Sequence, residues 1–413
     1  ASSCRIITKQ ELTLILGSQD IKDKNTLLLG SSDVYNDFKI AVDKNNFFST
    51  HFAFLGNTGS GKSCAIARLI QNVFYNNDMD FPINSHFVIF DAFGDYKSAF
   101  ESIDSLQKVR FKNITCDYTT NIEKDDNIKI PPYFLDVDDL AILLDINTPD
   151  LIPTLENTLR IAYIFTSNDS SISKYQNSII ASSLLDILAS GKTATQIRDQ
   201  IIAVLTKFNT PELNLDSTIS QPGYDRTLKQ CLLIDNQGKI NAMDLVVDFL
   251  DTFVLKDLDN IDITPGFVYT LQDLYNALEF SLINEGILTS KDQSYDKLNS
   301  LKIRLRAIIN SDLKNIFEVD KVISKAEYVE SFFKTAGNNA QVVCVNFGDL
   351  SERMIKTFTK ILSKLFFNYT TTLQNRGSFP IHIIIEEAHR YVQNDTDLNV
   401  LGYNIFERIT KEG

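Results

Sequence analysis

The sequence predicts an α/β fold: a mostly parallel sheet made from two distant stretches of chain, a large helical insertion between them, and a small β-rich segment in front. Three observations carry this expectation. Residues 51–104 alternate strand, helix and strand, as "FAFLG", residues 62–74 and "HFVIFDA". Buried-strand texture returns beyond residue 339, in "QVVCVNF" and "IHIIIEEAH". Between these stretches run amphipathic helical patterns joined by polar loops. Continuous apolar strands separated by a helix mark a parallel sheet covered on both faces.

Taken in order, residues 1–50 hold two alternating segments, "RIITKQELTLIL" and "FKIAVD", whose period of two reads as strand. The helix over 62–74 places Ile66, Leu69, Ile70, Val73 and Phe74 on one face. From about 115 to 338, "TPDLIPTLENTLRIAYIF", "KYQNSIIASSLLDILAS" and "KLNSLKIRLRAIIN" predict helices. "DLSERMIKTFTKILSKLFFNY" reads as a long helix, with Asp349 and Glu352 spaced like a capping box. The expected domains are therefore 1–50, a core of 51–114 with 339–413, and an insertion over 115–338. No internal repeat or low-complexity tract appears.

A length of 413 residues allows about two to three domains. Hydrophobic content of 44% with 23% charged residues fits a globular protein with a real core. No apolar run approaches the roughly 18 residues that cross a bilayer, so a membrane role is not expected. "ASSCRIITKQ" lacks a secretory pattern, and its first residue is not Met, which points to a processed or trimmed start. Cys4, Cys64, Cys116, Cys231 and Cys344 form no CxxC pair, which argues against a zinc site or disulfide framework and for a reducing cytoplasm. A net charge of −13 excludes nucleic-acid binding through the whole surface. Any such grip has to come from a local basic lining, such as a pore.

Gly56-Asn57-Thr58-Gly59-Ser60-Gly61-Lys62-Ser63 satisfies GxxxxGK[ST], between a strand-like and a helix-like segment. Gly56, Gly59 and Gly61 allow close backbone approach, so that several N–H groups can point at one phosphate. A helix starting near Lys62 adds the positive end of its dipole. Lys62 would neutralise the β- and γ-phosphates, and Ser63 would offer its hydroxyl to Mg²⁺. The candidate nucleotide-contacting set runs from Gly56 through Cys64.

"IHIIIEEAH" ends an apolar strand in two adjacent acids, Glu386 and Glu387. A nucleotide hydrolase needs one group to hold Mg²⁺ and another to orient the attacking water. Side chains diverge at a strand end, so Glu386 is assigned to the metal and Glu387 to the water. Asp is the usual metal residue here, and Glu386 departs from that pattern. A strand running into a solvated acidic turn would look alike in isolation; the phosphate loop upstream favours chemistry. His389 either senses the γ-phosphate or bonds Glu387, against the plainer reading of a structural histidine.

These residues resemble a known family. "GNTGSGKS", "VIFDAFGDY" and "IIIEEAHRYV" look like the three signatures of HerA-type ATPases, within the HerA/FtsK group of P-loop motors. The second signature is approximately DPHGEY in that family; here it reads Asp91-Ala92-Phe93-Gly94-Asp95-Tyr96, with Pro, His and Glu replaced. The resemblance runs from about Leu27 to the end. It implies a RecA-like domain, ATP and Mg²⁺, a homo-hexameric ring, translocation on double-stranded DNA through the pore, and an effector partner. That effector is a nuclease or an NAD-consuming enzyme, in DNA end processing or antiviral (antiphage) defence.

Two departures stand out. The Arg often found before the His preceding the first strand is Thr50 here, followed by His51. "FERITKEG" resembles the start of the segment that bears a trans-acting arginine, and the chain stops at Gly413, so the motor domain looks incomplete. Arg408 is a candidate finger, with an ordinary surface arginine as the plainer reading. Arg376, Lys297, Lys302, Arg304 and Arg306 are candidate DNA contacts, for which a solvated helix face is the plainer reading. The competing class is an ATP-binding ring scaffold that assembles and regulates a partner enzyme without productive translocation.

Overall fold

A computed structural model describes residues 5–16, 25–35, 38–57, 59–75, 84–105, 110–118, 126–167, 170–255, 267–288, 292–348, 350–392 and 396–413. The chain divides into two units, Lys129–Val322 and the remainder on either side of it.

The outer unit is built on a five-stranded parallel sheet. In chain order its strands are β3 (His86–Asp91), β4 (Phe111–Thr115), β5 (Asp126–Asn127), β6 (Val342–Asn346) and β7 (Ile381–Ile385). They lie in the order β7-β3-β6-β4-β5, so that strands from opposite ends of the sequence alternate. Every residue of β3 is buried, as its unbroken apolar run requires of a sheet covered on both faces. β1 (Thr26–Ser31) and β2 (Lys39–Asp43) form a separate antiparallel pair, the latter from the "FKIAVD" alternation.

The helix expected over 62–74 is present as α2 (Lys62–Tyr75), and Ala67, Ile70, Val73 and Phe74 pack in one core with Phe87 and Ile89 of β3. After β3 comes the short α3 (Tyr96–Phe100). Before β7 comes α10 (Glu352–Thr372). Its N-cap is Ser351, whose hydroxyl accepts from the Met354 amide; Asp349, read from sequence as the cap, lies outside the described residues.

Two strand expectations are corrected. Residues 9–16 form a helix, α1 (Lys9–Leu16), where "RIITKQELTLIL" reads as strand. The reason is a reciprocal cap: the Thr8 amide donates to Glu11 Oε2, and the Glu11 amide to Thr8 Oγ1. The alternation was real but short, and "TKQE" carries the stronger local signal. Residues 51–57, which contain "FAFLG", are exposed and form no strand. A strand needs a ladder partner. Phe52 stacks on Phe47 at 4.5 Å instead, and a cavity of about 1770 Å³ is lined both by this segment and by β7.

The inner unit is mainly helical. Its main helices are α4 (Ile152–Thr166), α5 (Ser170–Ala189), α6 (Ala194–Lys207), α7 (Met243–Asp251), α8 (Leu271–Leu288) and α9 (Asp292–Ile309). Residues such as Ile180, Leu184, Ile201, Val246 and Phe280 are wholly buried in one core. Among the described residues no helix is long and apolar enough to cross a membrane.

Candidate active site

The phosphate loop leads directly into the first turn of α2. Gly61 has φ +83°, a conformation that side chains rarely adopt, and Gly59 shares it at +79°. A Cβ at Gly56 would stand 2.4 Å from Ser60 Oγ, so a side chain there would force the serine to another rotamer and crowd Lys62. Asn57 caps this turn, accepting the Ser60 amide at 3.1 Å; Thr58 lies outside the described residues, and Cys64 is exposed on the helix. The Lys62 ammonium folds back into the loop, donating to the carbonyls of Gly56 at 3.0 Å and Asn57 at 3.2 Å. Those neutral acceptors are ones a phosphate oxygen would displace, because it adds a full negative charge to meet the ammonium.

The acid strand meets this loop. Ser63 Oγ donates to Glu386 Oε1 at 2.9 Å, joining residues 323 apart in sequence. Glu386 is buried, continues the β7–β3 pairing through its amide, and leaves Oε2 with no hydrogen-bond partner. Burial pushes its carboxyl up to about 7; Asp91 and Asp95 add to this and the Ser63 hydroxyl opposes it. A buried acid with one orphaned oxygen, its other oxygen held by the Ser63 hydroxyl, fits a divalent cation, whose charge would restore the carboxylate. Among the described residues no cluster of three or more His, Cys, Asp or Glu side chains could hold a metal. Mg²⁺ needs no such cage, since it keeps several waters and leans on substrate phosphates.

Glu387 points elsewhere. Its backbone sits at φ +51°, and its Oε2 lies 3.2 Å from His389 Nδ1. Of the two sequence readings for His389, the geometry matches the one that bonds Glu387. A non-glycine residue in this conformation next to a phosphate loop is the kind of local strain found at functional sites.

Asp91 plays a part the motif did not announce. Its Oδ1 accepts the amides of Phe93, Gly94 and Asp95, and its Oδ2 accepts that of Tyr96 at 3.0 Å. It thereby shapes the whole 92–96 turn and caps α3. That turn brings in Tyr96, which sequence reasoning missed. The ring is 1% exposed and lines the same cavity as Ser63 and Glu386, and its hydroxyl is buried without a partner. A tyrosine ending an otherwise apolar–acidic turn was the available signal.

The segment after Glu387 is tied back to α10. It holds α11 (His389–Val392), α12 (Thr396–Leu401) and α13 (Ile405–Glu412). Lys360 of α10 has no exposed side-chain surface and is paired with Asp397 of α12. Burial brings the Lys360 ammonium down to about 8, Asp397 opposing. Arg408 is engaged within its own helix, 3.2 Å from Glu412 Oε2 and over the Phe367 ring. Among the candidate DNA contacts, Lys302 pairs with Glu279 and Arg304 donates to the carbonyls of Leu144 and Asp145, which makes both structural. Arg306 and Arg376 are exposed, and the Lys297 side chain lies outside the described residues.

A family model described as "Helicase HerA, central domain" matches residues 28–251, more than half of the chain. No curated protein matches it.

Proposed function

The chain belongs to the HerA family, an ATP-driven motor of the HerA/FtsK type, and on that footing we propose that it is a DNA translocase that hydrolyses ATP at the Gly56–Ser63 loop. The observation that carries the chemistry is the Ser63–Glu386 contact. It puts a hydroxyl and an orphaned carboxylate oxygen at the start of a helix that follows a phosphate loop. ATP binds with its phosphates on the loop amides, its charge met by Lys62 and by the N-terminus of α2. Ser63 and Glu386 would hold Mg²⁺, which when bound would supply positive charge to the phosphate oxygens. Glu387, steadied by His389, takes the proton of the attacking water.

The motor works as a homo-hexamer in the cytoplasm, with double-stranded DNA in its pore. It drives an effector, a nuclease or an NAD-consuming enzyme, in end processing or antiviral defence. A basic pore within an acidic surface would reconcile the net charge of −13 with DNA binding. Arg408, the finger candidate, is held only by an exposed pair with Glu412 in its own helix, and in a ring the cation opposite Lys62 would be supplied by a neighbouring subunit. An arginine finger is worth roughly 10³–10⁵ in rate, too much for an efficient motor to forgo.

The test is ATPase activity per subunit against protein concentration, with and without duplex DNA. The account expects activity to rise with concentration and with DNA. A ring whose ATPase ignores DNA would make it a scaffold. A fully active, concentration-independent monomer would refute the shared site.

A further inference from the structure

Two buried polar atoms in the outer unit have no partner and line one pocket: the Tyr96 hydroxyl and Glu386 Oε2. Such atoms are rare in folded proteins, and each points to a group that arrives later. They do not bond each other; Glu386 and Asp91 act on the phenol electrostatically, and the Ser63 hydroxyl stands next to it, short of a well-formed hydrogen bond. The gap between them is therefore wider than a hydrogen bond. A bridging water, which takes two to four polar neighbours, would give both atoms a partner.

The other candidates in the neighbourhood are satisfied. Both oxygens of Asp91 are taken up by backbone amides. Glu386 Oε1 is held by Ser63. The tyrosine is fixed in place by its first-turn position on α3, by Asp91 at its amide, and by stacking against Phe100. Its hydroxyl is thus rigidly presented and chemically idle in the nucleotide-free chain.

We propose that Tyr96 is a positioning residue for the divalent cation: its hydroxyl, together with Glu386 Oε2, holds one water of the hydration shell of a cation seated on Ser63 Oγ. The water donates to Oε2, and the phenol donates to the water oxygen or accepts from its second proton. No bond to the metal is required of Tyr96. The inference rests on the ATPase reading of this site. It also explains why a large aromatic residue is buried with its polar end unpaired. Outer-shell partners of this kind change metal affinity by about 10–100-fold.

The experiment uses the full chain, ADP, and Mn²⁺ as probe, with free Mn²⁺ followed by its electron paramagnetic resonance signal. Tyr96→Phe removes the hydroxyl and keeps the ring. The expected result is unchanged ADP affinity in EDTA and about ten-fold weaker Mn²⁺ binding to the ADP complex. The metal-free variant should melt no lower than wild type, since an unpaired buried hydroxyl has been removed. Equal Mn²⁺ affinity in variant and wild type would overturn the role of Tyr96 while leaving the ATPase reading intact. A wild-type chain that binds no Mn²⁺ with ADP would overturn both. If Tyr96→Phe does not fold, 3-fluorotyrosine at position 96 gives a second readout. Its fluorine resonance should move when Mg²⁺ is added to the ADP complex, and a resonance that stays still would overturn the proposal.

Discussion

Glu386→Gln should make the metal-free protein more stable, by an amount that grows from pH 4.5 to 7 and then levels off. The carboxyl is raised from 4.5 to about 7, burial being the first cause. The folded state therefore holds a proton that the unfolded state releases, and stability falls as pH rises from 4.5 to 7. At roughly 1.4 kcal/mol per unit, the charged form costs about 2–3 kcal/mol above pH 7, the lower figure allowing for solvent screening at the cavity. Gln keeps the size and can accept from Ser63 while carrying no charge. The gain should approach about 2–3 kcal/mol near pH 8 and shrink below about 1 kcal/mol near pH 5. Because the chain has two units, global unfolding is a poor readout, and amide exchange in the β7 peptide reports the local free energy directly. The same substitution should raise the Mg²⁺ concentration needed for nucleotide binding. A variant no more stable than wild type near pH 8, or one with equal gains at both pH values, would show that Glu386 is not held at an energetic cost.

Other perturbations follow from the same geometry. Lys62→Ala should weaken ATP binding on the order of 100-fold, read by calorimetry, because the phosphates lose a charge-assisted donor. His86 and His382 are both held near 4 by burial, His86 with its Nε2 unpartnered. Their folded pKa values are depressed, so stability should be lost as pH falls from about 6.5 to 4, by up to about 3 kcal/mol each. His86→Phe should flatten that acid limb in a denaturation series across the same range. Asp397→Asn should destabilise the outer unit by about 3 kcal/mol, since it leaves Lys360 buried without its counter-charge. Protease resistance of the segment after Glu387 would show it.

Much of the sheet was legible because its strands are apolar throughout. "HFVIFDA", "QVVCVNF" and "IHIIIEEAH" became β3, β6 and β7 of a single parallel sheet. The failures have local causes. Residues 9–16 read as strand because two faces of a short helix alternate like one, and the Thr8–Glu11 box is the local signal that overrides the alternation. "FAFLG" has strand composition, but pairing depends on a neighbour that composition does not supply. In the site, the meeting of the loop with Glu386 was readable, because phosphate chemistry asks for those residue types at that spacing; their roles belong to the proposal. Tyr96 and the capping role of Asp91 were not, because both depend on how one five-residue turn folds against β6. The Cys344 thiol against Asp91 Oδ2, at 3.5 Å, is the clearest sign of that packing.

The central claim is that Glu387 activates water for ATP hydrolysis at the site formed by Ser63 and Glu386. The most direct measurement is single-turnover hydrolysis of Mg²⁺·ATP by wild type and Glu387→Gln in the presence of duplex DNA, with ATP affinity measured alongside. The account predicts unchanged ATP affinity and a rate lower by about 10²–10⁴ in the variant. Hydrolysis at the wild-type rate by Glu387→Gln would contradict it.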